Sequence, residues 1–263
     1  MPYGFVGKLL EVDLSSEKIR EIGLREELLR KFIGGRGLGS WLLWKRLGER
    51  WENLDPLSPE NQLMFLTGPM TGYYPGTRIC VTGKSPLSNG VIGSTVGTEL
   101  GLELKTSGYD GLIVTGKASS PVYIFVNDDK VEIRDASKHW GKGGRETLRD
   151  LIRETWGELK SRNSLKGIPK EPSILYIGPA GENLVRFAAI MSKWTHAAGY
   201  GGYGAVMGSK NLKAVVVKGS GPLPNVADPK RFQERLSQIR KTLLRNTYFR
   251  MWGRAMEDMC SAR

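Results

Sequence analysis

A glycine-rich loop is the part of this sequence whose composition points most directly to ligand binding. In the segment AAGYGGYGAVMGSKN, at 197–211, the glycines are Gly199, Gly201, Gly202, Gly204 and Gly208. Glycine is favoured where the chain must turn with positive φ, or where backbone amides must approach a ligand closely. The same density is also typical of a packed crossing of two backbones. The residues alone leave anion binding and structural packing equally open.

Three shorter segments match nucleotide-binding motifs as strings but not in context. VTGKSP contains the Gly-Lys-Ser of a P-loop, yet Arg78 stands where an upstream glycine is required, and Pro86 follows the motif. GLIVTGKA, at 111–118, has P-loop spacing without the hydroxyl that binds magnesium. Gly199 and Gly201 begin a dinucleotide-binding pattern, but KWTHAA precedes it and no acidic residue stands about 20 positions on. We therefore expect neither a P-loop nor a dinucleotide-binding fold.

The turn GPAGEN, at 178–183, could also bind an anion. It follows a predicted strand, so its backbone amides could face a ligand. A tight structural corner explains the same glycine and proline residues more simply. The residues alone favour the corner.

The cysteines predict neither a disulfide framework nor a metal site. The chain has only Cys80 and Cys260, and they stand in unrelated contexts. Cys80, within RICVTG, is expected to be a small buried hydrophobic residue.

Charge and hydropathy argue against two classes of partner. The net charge is +12, but the basic residues are dispersed, apart from a cluster near the C-terminus that includes Arg231, Arg235 and Arg240. Because no aromatic and basic platform accompanies them, we expect no nucleic-acid partner.

No apolar run approaches the roughly 20 residues that span a bilayer. Charges at Lys8 and Glu11 argue against a signal peptide, so no membrane partner and a cytoplasmic location are expected.

The elements that must position these residues alternate irregularly between strands and helices. Hydrophobic patterning predicts strands over 5–13, 18–24, 62–69, 77–85, 109–118, 121–137 (as a hairpin), 173–178 and 213–221. It predicts helices over 25–35, 38–47 and 98–105, from about Glu146 onward, and over 232–259. GSTVG at 93–97 is expected to be a loop, 161–172 a basic polar loop, and 181–191 a strand or a helix. This order favours an α+β fold with mixed β-sheets and flanking helices over a doubly wound α/β sheet.

Several separated motifs together resemble the N-terminal domain of the aldehyde ferredoxin oxidoreductase family. They are TGP at 67–69, TRICVTGKSPLSNG at 77–90, ELKTSGYDGLIVTGKA at 103–118 and the block at 177–217, in the family's order. The resemblance implies that residues 1–220 form the base domain on which the family's pterin cofactor lies. It implies that residues 221–263 are a linker and a helix that begin a further helical domain.

The family's cofactor is a tungsten bis-pterin, or tungstopterin, with a bridging magnesium ion, accompanied by a 4Fe-4S cluster. The family reaction converts an aldehyde and water to a carboxylic acid and passes electrons to ferredoxin. By resemblance, Arg78 would lie between pterin and cluster, and Gly97 and Gly199 would lie at the pterin phosphates. Thr95 and Ala197 would offer backbone carbonyls to magnesium. The catalytic residues stay unknown, because the sequence nominates no acid or base.

Two residues of the candidate cofactor-binding set depart from the family pattern. His196 and Tyr200, in THAAGYGG, stand where the family usually has arginines. Losing two guanidiniums removes fixed positive charge and bidentate phosphate contacts. A protonated His196 could replace one of them, and Tyr200 could form a hydrogen bond or stack on a ring.

The family's cluster cysteines have no counterpart in this sequence. A cubane cluster requires four thiolates, and the chain has two cysteines. The resemblance therefore predicts a chain that is inactive alone, either truncated or one half of a split oxidoreductase. Its partners would be ferredoxin, a cysteine-bearing second half and, in a homo-oligomer, further copies of itself. The alternative function is a non-catalytic pterin-carrying or assembly module.

Overall fold

A computed structural model describes residues 1–73, 78–161, 171–249 and 251, and in these ranges the chain forms two six-stranded sheets. The strands are β1 Lys8–Asp13, β2 Lys18–Gly23, β3 Leu63–Leu66, β4 Arg78–Lys84, β5 Val91–Gly97, β6 Gly111–Thr115, β7 Val122–Asn127, β8 Lys130–Asp135, β9 Ser173–Tyr176, β10 Ile190–Ser192, β11 His196–Ala198 and β12 Leu212–Lys218. The helices are α1 Glu26–Phe32, α2 Gly35–Leu47, α3 Leu100–Thr106, α4 Gly144–Ser161, α5 Pro179–Glu182, α6 Tyr203–Ser209 and α7 Pro229–Arg245.

Both sheets mix parallel and antiparallel pairs. The first has the order β2-β1-β6-β3-β4-β5, and the second the order β11-β10-β9-β12-β7-β8. The pairs β1–β6 and β7–β12 are parallel, and the remaining pairs are antiparallel. The predicted α+β fold with mixed sheets and flanking helices is confirmed.

The hydrophobic core has a central part between the sheets and an outer part on each side. The central cluster combines inward side chains of both sheets, such as Val81 and Val215, with residues of α3 and α6. On the outer side of the first sheet, α1 and α2 bury leucines against strands β1, β3 and β6. On the outer side of the second sheet, α4 packs through Leu148 and Leu151. Both faces of most central strands are therefore buried, which explains their nearly continuous apolar runs.

The structure corrects three local predictions. GSTVG belongs to strand β5, because its backbone pairs with β4 from Arg78↔Gly97 to Lys84↔Val91. The stretch 181–191 is neither one strand nor one helix, since it ends α5, turns and then begins β10. Part of the glycine-rich loop is the buried helix α6. The basic loop predicted over 161–172, the end of the helix predicted over 232–259, and Cys260 lie mostly or wholly outside the described residues.

The chain divides into two compact units, Met1–Pro224 and Asn225–Arg263. The first contains both sheets. The second contains α7, whose N-terminus is capped by the Asp228 carboxylate accepting from the Arg231 amide at 2.9 Å. No side chain of α7 is buried. Among the described residues, no helix has the length and apolar character required to cross a membrane.

Candidate functional site

The candidate residues lie where the edges of the two sheets meet. Strand β5 is the last strand of the first sheet, β11 is an end strand of the second, and the two lie against each other. The Tyr200 amide, just after β11, donates to Ser94 Oγ of β5 at 3.0 Å. The His196 ring lies 3.5 Å from the position that a Cβ on Gly97 would occupy. Segments about a hundred residues apart in sequence thus form one surface.

Pairing between β4 and β5 places three of the predicted residues on one exposed face. Arg78 pairs with Gly97, and Cys80 pairs with Thr95. Opposed residues of antiparallel strands point to the same side of a sheet. Arg78 Nη1 lies 3.4 Å from Thr95 Oγ1, and both side chains are exposed. A guanidinium, a hydroxyl and a bare glycine backbone are therefore available together.

A second guanidinium, which sequence analysis did not single out, lies on the same face. An added Cβ on Gly93 of β5 would lie 2.7 Å from Arg36 Cβ, and Arg36 belongs to the first turn of α2. Gly93 lies two positions before Thr95, so the two share a face of the strand. The signal in the sequence was the GGRG that opens α2. Arg36 and Arg78 together make this face positive.

The glycines of the loop serve two different purposes. Gly202 has φ +68°, and a Cβ there would lie 1.8 Å from the carbonyl oxygen of Arg186. A Cβ on Gly208 would lie 2.0 Å from the Gly181 carbonyl oxygen, where α6 crosses α5. At Gly199 a Cβ would have nothing within 4 Å. Packing therefore explains Gly202 and Gly208, while it gives no reason for glycine at Gly199.

Two amides of this loop have no partner in the described part of the protein. The backbone N–H groups of Gly199 and Gly201 donate to no atom of the described residues. Gly199 is exposed, and its surroundings are open. Gly201 is buried, so the exposed Gly199 amide is the one that, on a surface with two guanidiniums, suits the oxygens of a phosphate. The residues present therefore fit the phosphate-bearing part of a pterin cofactor.

The remaining predicted residues also lie on this surface. His196 and Ala197 belong to β11, and both are exposed. Tyr200 is 77% exposed. The exposed side chains of His196 and Tyr200 thus border the open space at Gly199. The contacts join Arg78 to Thr95, Gly97 to His196, and Tyr200 to β5 through Ser94.

In the GPAGEN turn, the Gly181 and Glu182 amides donate to the Gly178 carbonyl oxygen at 3.0 and 3.2 Å, which suits the structural corner that the residues alone favoured. Its Glu182 forms a buried ion pair with Lys213 of β12. The Glu182 carboxylate also accepts the Gly141 amide at 2.8 Å. These contacts occupy the carboxylate within the fold and tie the turn to the second sheet.

The same surface offers no thiolate for an iron–sulfur cluster. Cys80 is buried, as predicted, and burial raises the pKa of its thiol to about 11. In the described ranges, no three or more His, Cys, Asp or Glu side chains are grouped as a metal site. Two cysteines cannot supply the four thiolates of a 4Fe-4S cluster. The residues present therefore do not fit such a cluster.

Comparison with known proteins decides the family. The sequence pattern that defines the N-terminal domain of aldehyde ferredoxin oxidoreductase matches residues 9–219. The chain belongs to the aldehyde ferredoxin oxidoreductase family. Within that family, the matched range contains both sheets and the whole candidate surface.

Relatives in the aldehyde ferredoxin oxidoreductase family are considerably longer than this chain. An "Aliphatic sulfonate oxidoreductase, WOR-like subunit" of Pyrococcus furiosus is 59% identical over 95% of this chain and 40% of its own length. A "Tungsten-containing aldehyde ferredoxin oxidoreductase" of Pyrococcus horikoshii is 46% identical over 91% of this chain and 38% of its own length. The chain thus spans about two fifths of the curated relatives that it matches.

A solved structure shares the fold. It is the "Active site complex BamBC of Benzoyl Coenzyme A reductase in complex with 1,5 Dienoyl-CoA". The likeness has a TM-score of 0.82 at 36% identity and covers 92% of this chain and 35% of that one. The two mixed sheets are therefore an architecture that this family shares with the reductase complex.

Proposed function

We propose that this chain is the tungstopterin-holding base of an oxidoreductase of the aldehyde ferredoxin oxidoreductase family. The observation that carries the proposal is the surface where β5 meets β11, which carries the unpaired amide of Gly199 together with Arg78, Thr95 and Gly97. Relatives named as tungsten-containing enzymes support the identity of the metal. The proposed base corresponds to residues 1–220, and residues 221–263 would lead into a further helical domain.

Each residue of the surface has a role that its chemistry allows. Arg78 would donate charge-assisted hydrogen bonds to the pterin. Gly97 and Gly199 would let the cofactor approach the backbone, and the exposed His196 and Tyr200 would lie beside its phosphates. The carbonyl groups of Thr95 and Ala197 would coordinate the bridging magnesium, which prefers oxygen ligands.

When bound, the tungstopterin would supply two-electron oxidation–reduction, with ferredoxin as the acceptor. The chain itself would orient and neutralise the cofactor. Because the cluster thiolates are lacking, we expect the isolated chain to be inactive. Aldehyde-dependent reduction of a viologen dye by the isolated chain would contradict this expectation.

The names of two relatives support two further proposals, one about the substrate and one about assembly. The 59% identity to a protein named for aliphatic sulfonates, against 46% to one named for aldehydes, favours a sulfonate as the second candidate substrate class. That relative's name also contains the word subunit. This supports the alternatives of a split oxidoreductase, or of a non-catalytic module that carries pterin for a separate catalytic chain.

Metal and pterin analysis of the natively purified chain tests the proposal. We expect tungsten and pterin in the wild-type chain and at least about tenfold less in Arg78→Ala, since a hydrogen bond to a charged group contributes about 1.5–3 kcal/mol. Gly199→Ala should lower the pterin content without affecting folding. The matched controls are Arg25→Ala, a second exposed arginine, and Gly178→Ala, a second glycine with open space at Cβ.

The outcomes separate the alternatives. Wild-type chain that contains neither metal nor pterin would overturn the proposal. Pterin bound equally by Arg78→Ala and Arg25→Ala would place the cofactor elsewhere on the chain. A second chain rich in cysteine that co-purifies with the cofactor would support a split oxidoreductase.

A further inference from the structure

The glycine-rich loop is tied to the β4–β5 hairpin by buried polar side chains. The Tyr200 amide donates to Ser94 Oγ at 3.0 Å. Ser85 Oγ donates to the Gly201 carbonyl oxygen at 2.8 Å. The Tyr203 hydroxyl, at the start of α6, lies 3.0 Å from the Gly83 carbonyl oxygen. Hydrogen bonds therefore hold the loop at successive positions from Tyr200 to Tyr203.

These anchoring groups are fully enclosed. Ser85, Ser94 and Tyr203 each have no exposed surface. The Tyr203 hydroxyl also lies 2.5 Å from the Ile92 carbonyl oxygen and accepts the Ile92 amide at 3.2 Å. Burial raises the pKa of Tyr203 to about 12, so the neutral hydroxyl needed for these bonds is present at physiological pH. Buried hydroxyls with defined partners hold a loop more firmly than exposed ones.

The hydrogen bonds from these anchoring side chains determine which backbone groups of the loop can still bind a ligand. They occupy the Tyr200 amide and the Gly201 carbonyl. The amides of Gly199 and Gly201, on either side of Tyr200, have no acceptor among the described residues. Gly199 is exposed and Gly201 is buried, so the amide left open to a ligand is that of Gly199.

We propose that Ser94 and Ser85 are positioning residues that preorganise the loop for the phosphate groups of its ligand. Their hydroxyls fix the backbone at Tyr200 and Gly201, so that the adjoining exposed Gly199 amide is already placed when the ligand arrives. The proposal rests on the proposed function of the same surface. It assigns a role to residues that touch no ligand and act only through the loop.

This role also accounts for the Gly-Lys-Ser string that resembles a P-loop. Lys84 Nζ donates to the carbonyl oxygens of Trp51 and Glu52, at 2.6 and 2.7 Å. Ser85 donates to the glycine-rich loop. Both side chains bond to backbone carbonyl groups, so the string joins parts of the fold.

Loss of preorganisation should weaken binding more than it weakens folding. Without its anchor, the loop backbone must be ordered when the ligand binds, and ordering one residue is comparable in free energy to a tenfold change in affinity. We therefore expect about tenfold weaker binding of inorganic pyrophosphate with Mg²⁺, used as the probe, in Ser94→Ala and in Ser85→Ala. Hydrogen exchange at the Tyr200 amide of the ligand-free chain should accelerate in Ser94→Ala.

The matched control is Ser209→Ala. Ser209 is also buried, but its Oγ donates to the Val206 carbonyl oxygen within α6, at 2.9 Å, and does not anchor the loop. We expect it to lower the denaturation midpoint about as much as Ser94→Ala, with wild-type pyrophosphate affinity. This comparison separates positioning from a general loss of stability.

Full-length chains are used throughout, and two independent variants keep the test decisive. If Ser94→Ala does not fold, Ser85→Ala and Tyr203→Phe remain. Unchanged affinity in every anchor variant that folds, with unchanged exchange at Tyr200, would overturn the positioning role and leave the proposed function standing. Wild-type chain that binds neither pyrophosphate nor pterin would overturn the proposed function, while the exchange data would still show whether the anchors order the loop.

Discussion

Burial makes the thiol of Cys80 unreactive in the folded chain. Only 7% of the residue is exposed, and burial raises its pKa to about 11 even though Arg36 lies close by. The thiolate is the reactive form, and a pKa near 11 makes its fraction at pH 8 roughly 100-fold smaller than for a free cysteine. In a Cys260→Ala variant, we expect iodoacetamide to label Cys80 at least that much more slowly in native buffer than in denaturant. Equal labelling rates would show that the thiol is accessible in the folded chain.

Lys210 is a buried ammonium whose hydrogen-bond partners are carbonyl groups. Its Nζ lies 3.0 Å from the Pro59 oxygen and 3.1 Å from the Gly116 oxygen. Burial lowers the pKa of Lys210 to about 7, and the more distant Asp13 only partly opposes this. In the unfolded chain the pKa is about 10.4. Between these values the unfolded chain binds more protons, so the contribution of Lys210 to stability increases as pH rises.

We therefore expect the free energy of unfolding to rise less steeply from pH 7 to pH 9 in Lys210→Met than in the wild-type chain. The difference should approach about 2 kcal/mol over this range. Urea denaturation at several pH values measures it. Lys117→Met, at an exposed lysine, is the control and should follow the wild-type curve. Identical slopes for Lys210→Met and the wild-type chain would show that Lys210 keeps an ordinary pKa.

At the scale of elements, the start of α6 depends on glycine for a different reason than the exposed turn does. Gly202→Ala would place a Cβ against the Arg186 carbonyl at a residue with φ +68°. Overpacking and left-handed strain together cost about 2–4 kcal/mol. We expect a loss of stability of this size for Gly202→Ala in chemical denaturation. Gly199→Ala, with open space at Cβ, should stay within about 0.5 kcal/mol of the wild-type chain. Equal effects of the two substitutions would contradict this division of the glycines.

The sequence predicted those strands and helices whose own apolar pattern is enough to determine their secondary structure. The predicted strands at 77–85 and 213–221 and the predicted helix at 38–47 contain β4 and most of β12 and α2, because their apolar residues alone indicate burial. GSTVG was predicted to be a loop, since its glycines have low strand propensity, yet the neighbouring strand β4 pairs with its backbone. The helix α6 was missed because Gly204 and Gly208 lower helix propensity, while their close packing favours the helix.

The candidate surface could be predicted only in part. Arg78, Gly97 and Gly199 were found through a resemblance, and the structure brings their strands and loop to the meeting of two sheet edges. Nothing in local patterning indicated that β5 and β11 meet, because this contact depends on the packing of both sheets. For the same reason Arg36 and the anchoring Ser94 were missed.

At the scale of the whole molecule, the unit Met1–Pro224 contains both sheets and the hydrophobic clusters. No side chain of α7, in the second unit, is buried. We therefore expect a chain shortened to residues 1–226 to unfold cooperatively within about 3 °C of the full chain, because the removed helix α7 buries no side chain. Thermal unfolding followed by circular dichroism measures this, with the expected decrease in helical signal. Loss of the cooperative transition would show that residues beyond 226 are required for folding.

The parallel strand pairs also determine how slowly this protein must fold. Leu9 of β1 pairs with Gly111 of β6, and Val122 of β7 pairs with Leu212 of β12. Neither first strand can complete its sheet until about a hundred further residues have been synthesised, which takes on the order of 5–20 s on a ribosome. Pairings so distant in sequence also lower the intrinsic folding rate. During that delay β1 can pair with β2 but its other edge must stay unpaired without aggregating, so chaperone supply and translation rate will govern the yield of folded protein.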